Sequence, residues 1–215
     1  MKLIQKFITT IVFFGTLGGK MEHIYNQSQF GPTYFRYPGL YSEMVEKAHD
    51  GYHFVEVGAF LGKSSAYMCV EIFNSGKKIK FDVVDTWQGS IEHNLTTKEQ
   101  QEELYINFLQ NINPVRQAIF PIRTLSVEAS KLYKDNTLDF VFIDAGHEYE
   151  DVTSDLKAWY PKVKTGGIIS GHDYFNPADP VHGHKFPGVK KAVDEFFPSN
   201  LMVSNVEYIW AYRKV

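Results

Sequence analysis

The sequence predicts an α/β fold organised on a parallel sheet, and three features carry that prediction. Phe54-Val55-Glu56-Val57 is an apolar run interrupted by one acid, it ends in the turn Gly58-Ala59-Phe60-Leu61-Gly62, and a helix-compatible run from Ser64 to Phe73 follows. This reads as a strand, a tight loop and a helix N-terminus, the first βα unit of a nucleotide-binding sheet. Leu138-Asp139-Phe140-Val141-Phe142-Ile143 is apolar at almost every position, the pattern of a central parallel strand buried on both faces. Amphipathic helices follow: Val152, Leu156, Trp159 and Tyr160 mark one stripe, and Val189, Ala192, Val193, Phe196 and Phe197 another.

The 215 residues suit one domain with a full core, and 44% hydrophobic content is that of a globular protein. A net charge of −3, with no basic run interleaved with aromatics, argues against a nucleic-acid partner. A lone cysteine, Cys69, excludes an internal disulfide or a zinc ribbon, packs in the first βα helix and points to a reducing, cytoplasmic setting. At the N-terminus Lys2 and Lys6 precede the apolar run Phe7 to Phe14 and then Gly15-Thr16-Leu17-Gly18-Gly19, the outline of an export signal. No A-x-A-like cleavage site follows, and the run is too short to span a bilayer. It is read instead as an element packing on the domain or on a partner subunit, with no stable membrane association and a homodimer as one assembly it would serve. Residues 1–53 are thus expected to form an N-terminal segment with a capping helix, and 54–215 the functional domain.

In chain order, Tyr25 to Pro38 is aromatic, polar and rich in turn formers, and reads either as a surface loop or as a lid. Leu40, Met44, Val45 and Ala48 have helical spacing, closed by His49-Asp50-Gly51. After the turn Asn74-Ser75-Gly76, Lys80 to Asp85 is the second strand, whose C-terminal carboxylate is placed for ribose hydroxyls, since ligands in open α/β sheets lie beyond those strand ends. Trp87 either stacks on a ligand or packs. Gln88 to Asn113 holds one helix, with Thr97 and Gln100 in capping-box spacing and Leu104, Phe108 and Leu109 on one face. Pro114 to Ile122 is read as the third strand. Lys164-Thr165-Gly166-Gly167 is read as a turn into a fifth strand, Ile168 to Tyr174, and Asn176 to Pro187 as a loop whose His182 and His184 are not ligands. Leu201 to Val215 supplies closing strands, with Tyr208 to Tyr212 the clearest.

Spacing separates the cofactors that a glycine loop can serve. A phosphate-cradling loop needs four residues between its first glycine and Gly-Lys-Ser, whereas Gly58 and Gly62 enclose three. A dinucleotide fingerprint needs G-x-G-x-x-G, but Ala59 and Phe60 follow Gly58, and Ser65 stands where a third glycine would be. The remaining acid-x-Gly-x-x-x-Gly pattern resembles the first motif of class I S-adenosylmethionine-dependent methyltransferases. The stretch Ile143-Asp144-Ala145-Gly146-His147-Glu148-Tyr149-Glu150, then Gly166-Gly167-Ile168-Ile169 and His172-Asp173-Tyr174, resembles a narrower group: small-molecule methyltransferases related to the macrocin and cephalosporin tailoring enzymes. That resemblance runs from Phe54 to Phe197.

It implies a Rossmann-like methyltransferase fold, a seven-stranded, mostly parallel sheet with helices on both faces. It also implies S-adenosylmethionine as cofactor, held by Glu56, Gly58, Phe60, Gly62, Ser64, Asp85, Thr86 and Asp144, with Ser126 and Val127 at the adenine ring. No Asn/Asp-Pro-Pro-Tyr motif, which marks methylation of amide or base nitrogens, follows the fourth strand. Asp144, His147, His172 and Asp173 lie just beyond two strands that are neighbours in this fold. Related metal-dependent O-methyltransferases use acids there, which implies Asp144 and Asp173 as ligands of Mg2+ or another divalent cation, with His172 as the third candidate. The metal-free reading makes His147 the general base, with Asp144 and His172 beside it; a third reading makes both histidines structural. The function expected is methyl transfer from S-adenosylmethionine to a small molecule, at a hydroxyl. The alternatives are a NAD-dependent oxidoreductase and an inactive S-adenosylmethionine-binding module.

Overall fold

The computed structural model of the protein describes residues 19–31, 35–89, 95–179, 181–183 and 185–215. The expectations for the lysine-flanked apolar run at positions 2–18 and for His184 lie outside the described residues. The strands are β1 (His53–Val57), β2 (Lys80–Asp85), β3 (Phe120–Arg123), β4 (Leu138–Ile143), β5 (Val163–Gly171), β6 (Met202–Ser204) and β7 (Ile209–Arg213). They form one sheet in the order β3-β2-β1-β4-β5-β7-β6. Strands β1 to β5 run parallel, and β7 is antiparallel to both its neighbours. The helices are α1 (Pro38–Lys47), α2 (Lys63–Ser75), α3 (Lys98–Asn111), α4 (Ser126–Ser130), α5 (Tyr149–Trp159) and α6 (Pro187–Phe196).

Alternation along the strands sorts side chains onto two faces. Phe54, Phe81, Phe140 and Phe142 pack with the apolar sides of α1, α2 and α3, whereas Val55, Val57, Val141 and Ile143 pack with α4, α5 and α6. Each such fully buried side chain is worth about 1.5–3 kcal/mol. Cys69 is buried in the first of these cores. Because the chain leaves β1 toward β2 and β3 but leaves β4 toward β5, the β1/β4 pair is the point where the strand order reverses, the place where such sheets bind ligands.

Local chemistry sets the helix ends. Thr97 accepts from the Gln100 amide while the Gln100 side chain accepts from the Thr97 amide, the reciprocal capping box the sequence announces. Pro38 opens α1, where its missing N–H costs nothing. Helix α1 packs against α2. No helix among the described residues is long and apolar enough to cross a membrane.

Several boundaries differ from expectation. Pro114 opens a 3-10 helix over Asn113–Ala118, because proline suits a first helical position, and only Phe120–Arg123 pair with β2. Lys164 to Gly167 belong to β5: a register shift between Leu138 and Phe140 absorbs them, and Gly166 and Gly167 exchange backbone hydrogen bonds with Lys214. The strand therefore ends at Gly171, leaving His172, Asp173 and Tyr174 in the loop beyond it. Leu109 is exposed, so the buried face of α3 is Leu104 and Phe108. Tyr208 precedes β7 in a turn with φ of +54°. Trp87 packs: it is fully buried against Tyr105 and Phe108, and its Nε1 donates to the Phe60 carbonyl at 3.1 Å.

Candidate active site

A cavity of about 1060 Å³ opens at the carboxyl ends of β1, β2, β4 and β5. The glycine loop forms its floor. Gly58 has φ of +93°, and a Cβ there would lie 1.7 Å from the Asp144 carbonyl oxygen. Only glycine lets β1 and β4 close up here, and the Asp144 amide donates to Val57 O at 2.7 Å across the gap. Gly62 is also left-handed, and its Cβ would meet the Phe108 ring at 2.9 Å. It seats α2 against α3 and does not face the cavity.

Asp85 ties the loop to β2. Its Oδ2 accepts from the Ala59 and Phe60 amides at 2.7 and 3.0 Å, and its Oδ1 from the Trp87 amide at 2.7 Å. A carboxylate offers about four acceptor sites, so the expected ribose contact has room for one more donor rather than for two. Phe60, Ser64 and Thr86 also line the cavity. Glu56, expected among the cofactor contacts, does not: it is 1% exposed and accepts from Tyr41 Oη at 2.8 Å and from the Ser65 hydroxyl. Burial pushes its carboxyl up to about 7, against the pull of the Ser64, Ser65 and Tyr41 hydrogen bonds. It braces α1 and α2 from behind the loop.

Ser126 and Val127 begin α4 and line the cavity as anticipated. The Ser126 hydroxyl is already used, donating to Asp155 at 2.5 Å and accepting from Trp159 Nε1 at 2.8 Å. Asp155 escaped sequence reading. It lies nearly two turns into α5, lines the cavity, and burial raises its carboxyl to about 6 in spite of the Ser126 bond.

The reaction-centre candidates come together. His147 Nε2 lies 2.9 Å from Asp173 Oδ2, and His172 Nδ1 lies 3.2 Å from Asp173 Oδ1 and 3.9 Å from Asp144 Oδ2. Burial raises Asp144, with His172 opposing and Asp173 adding to the rise. Burial acts on Asp173 in the same sense, but the hydrogen bonds from His147 and His172 hold it well below the usual carboxylate range. His172 is raised: burial would lower it, and the carboxylates of Asp173 and Asp144 outweigh that. Among the described residues, the group whose ligand atoms converge, all within 4.8 Å, is Asp144, His147 and Asp173. The sequence placed His172 in that set; geometry puts His147 there, because the His172 Nδ1 is turned to its neighbouring carboxylate and its Nε2 is buried with no hydrogen-bond partner.

Tyr37 was missed as an individual residue. It is 2% exposed, and its hydroxyl donates to Asp144 Oδ2 at 3.0 Å. The stretch Tyr25 to Pro38 thus supplies Phe35, Arg36 and Tyr37 to the cavity, and the loop around Asn176 to Pro187 supplies Phe175, His182, Lys185 and Phe186. From Gln88 to Asn113, only Gly89 and Leu104 reach it among the described residues. Strain concentrates here as well: Phe60, Asp173, Phe186 and Tyr208 all have positive φ and all line the cavity.

A seven-stranded sheet of this order, a glycine loop after β1, an acid ending β2 and a cavity at the switch point define the class I S-adenosylmethionine-dependent methyltransferase fold. The family described as "Methyltransferase domain" matches residues 55–174, more than half of the chain, and the protein belongs to that family. The family match favours the methyltransferase reading over the nicotinamide alternative.

Among curated proteins, y4gI of Sinorhizobium fredii is 28% identical over 119 residues, covering 55% of this chain, and R132 of Acanthamoeba polyphaga mimivirus is 28% identical over 154 residues, covering 69%. The chain spans 13% of the length of the first and 63% of the second, and both carry the description "uncharacterized protein". Among solved structures, the O-methyltransferase NovP superposes with a TM-score of 0.60 at 17% identity, covering 83% of this chain and 79% of its own. The MycE methyltransferase of the mycinamycin pathway, solved with Mg, SAH and mycinamycin VI, gives 0.55 at 14%, covering 88% and 52%. SAH-bound PaMTH1 of Podospora anserina gives 0.55 at 15%, covering 82% and 78%. These likenesses establish the fold.

Proposed function

We propose that the protein transfers the methyl group of S-adenosylmethionine to a hydroxyl of a small-molecule acceptor. The observation that carries this reading is the convergence of Asp144, His147 and Asp173 in the same cavity as the glycine loop. Bound S-adenosylmethionine supplies an electrophilic methyl on a sulfonium. Gly58, Phe60, Ser64, Asp85 and Thr86 would hold its ribose and amino-acid end, Ser126 and Val127 its base edge, and Asp144 would stand between it and the acceptor. The acceptor oxygen gains the methyl and loses its proton.

The protein's own contribution is position and proton removal. Asp173 orients the His147 ring through Nε2, and Tyr37 holds the Asp144 carboxylate. In the metal-free form of the reaction His147 takes the proton. The donor set also fits a divalent cation, which would lower the pKa of a hydroxyl bound to it. Two carboxylates with an imidazole suit Mn2+ or a similar transition ion better than Mg2+. The two uses of His147 exclude each other, since a ligand nitrogen cannot accept the proton. A cytoplasmic setting belongs to the same reading and is supported by the lone, buried Cys69.

Incubation with methyl-labelled S-adenosylmethionine and a panel of hydroxylated small molecules tests the proposal, with Mn2+, Mg2+ or chelator in parallel. Labelled ether products support it, and their loss on chelation assigns the cation. Methylation of amines alone would move the reading to nitrogen acceptors.

A further inference from the structure

Beyond the reaction centre the cavity continues along a wall of rings. His147 stacks on Phe186 with centroids 4.0 Å apart, Phe186 meets Phe175 at 6.2 Å, and Phe175 packs on Tyr208 at 4.6 Å. The Arg36 guanidinium lies over the Tyr208 ring, 5.5 Å from its centroid. All five of these side chains line the cavity, and so does Lys185, from the same loop as Phe186. The wall therefore starts at one of the converging residues and ends at a cation.

Charge along the lining is divided. Carboxylates come from the strand ends and from the α4 and α5 side, including Asp85, Glu128, Asp144 and Asp155. Of the lining cations, Lys63 adjoins the glycine loop, while Arg36 precedes α1 and Lys185 precedes α6. An anionic group on the acceptor would be repelled at Asp144 and Asp173 and attracted at Arg36 and Lys185. A planar group would gain about 0.5–1.5 kcal/mol by packing on an aromatic face. A guanidinium is suited to a carboxylate through two parallel N–H bonds.

We infer that the acceptor is a hydroxylated aromatic carboxylate. Its hydroxyl lies at Asp144 and His147, its ring against Phe186 and Phe175, and its carboxylate at Arg36 and Lys185. Repulsion from the acids at the inner end fixes the direction in which it enters, hydroxyl first. This assignment rests on the methyl-transfer reading above, which supplies the inner end of the site.

The test titrates SAH-saturated protein with 3,4-dihydroxybenzoate and with its methyl ester, a near-isosteric neutral probe. SAH affinity is measured first and by itself, so that failure of the cofactor to bind registers against the methyl-transfer reading and not against this one. With SAH bound, the carboxylate is expected to bind at least tenfold more tightly than the ester. That preference should fall to near parity in Arg36→Gln/Lys185→Gln, with SAH affinity unchanged. Equal or tighter binding of the ester, no binding of the carboxylate at millimolar concentration, or a preference that survives in the double variant would each overturn the inference.

Discussion

Tyr37 Oη and Asp144 Oδ2 lie 3.0 Å apart although 107 positions separate them in the chain, and this bond joins the N-terminal segment to the reaction centre. Burial raises the Tyr37 phenol well above its usual value, and the Asp144 and Glu56 carboxylates add to the rise, so it stays a donor at all working pH values. A hydrogen bond to a charged group contributes about 1.5–3 kcal/mol. Tyr37→Phe is predicted to lower turnover by roughly 10–100-fold while leaving SAH affinity within about twofold of the native value. Steady-state rates alongside calorimetric SAH titration check the split, and an unchanged rate would show that Asp144 needs no such support.

Glu56 makes stability depend on pH in a direction that can be stated. Its carboxyl sits at about 7 when folded, against the ordinary 4.5, so the folded protein holds a proton that the unfolded chain releases. Stability from this group is complete below the unfolded value and is lost as pH rises through the folded one, about 3 kcal/mol in all. Glu56→Gln keeps the shape and cannot ionise. Its melting temperature relative to the native protein should rise between pH 5 and about 7 and level off above that. A difference that stays flat over that range would mean that Glu56 is ionised throughout.

Gly58 tolerates no side chain. Left-handed backbone costs an L-residue about 1–3 kcal/mol, and the Cβ of Gly58→Ala would lie 1.7 Å from the Asp144 carbonyl oxygen, forcing β1 and β4 apart. Urea unfolding is predicted to show a loss exceeding about 3 kcal/mol, or no folded protein. Gly51→Ala is the control, since its φ of +89° is similar and nothing lies within 4 Å of its Cβ.

The role of His147 divides on cation dependence. If Asp144, His147 and Asp173 hold a cation, calorimetry with Mn2+ should show one site that disappears in Asp173→Asn, and chelator should abolish turnover. If His147 is the base, chelator changes nothing and His147→Gln removes the acidic limb of the rate profile, where protonation of the base shuts the reaction down.

The sequence made legible what short-range physics controls. The Thr97/Gln100 capping box is written in two residues, and β4 in six consecutive apolar or half-buried positions, so both appear where expected. The Asp144, His147, His172 and Asp173 group was visible because parallel strands deliver their C-terminal residues to one edge. Which histidine completes the metal-competent set was not, since that depends on His172 turning Nδ1 toward Asp173 beyond the end of β5. The third strand, read over Pro114 to Ile122, starts later, because Pro114 opens the 3-10 helix Asn113–Ala118 and only Phe120–Arg123 pair with β2. The partners of Glu56 and Asp144 on the α1 side, Tyr41 and Tyr37, are long-range contacts with no local signature. The aromatic density of Tyr25 to Pro38 was the only hint of Tyr37.

Whether this cavity holds S-adenosylmethionine is decided by titrating the native protein with SAH, with Asp85→Asn and Asp85→Ala measured in parallel and their melting temperatures recorded. Binding on the order of micromolar is expected for the native protein, with a loss of at least about tenfold, or 1.4 kcal/mol, in Asp85→Ala, whose Ala59 and Phe60 amides lose their acceptor. Absence of SAH binding by well-folded native protein would rule out S-adenosylmethionine as its methyl donor.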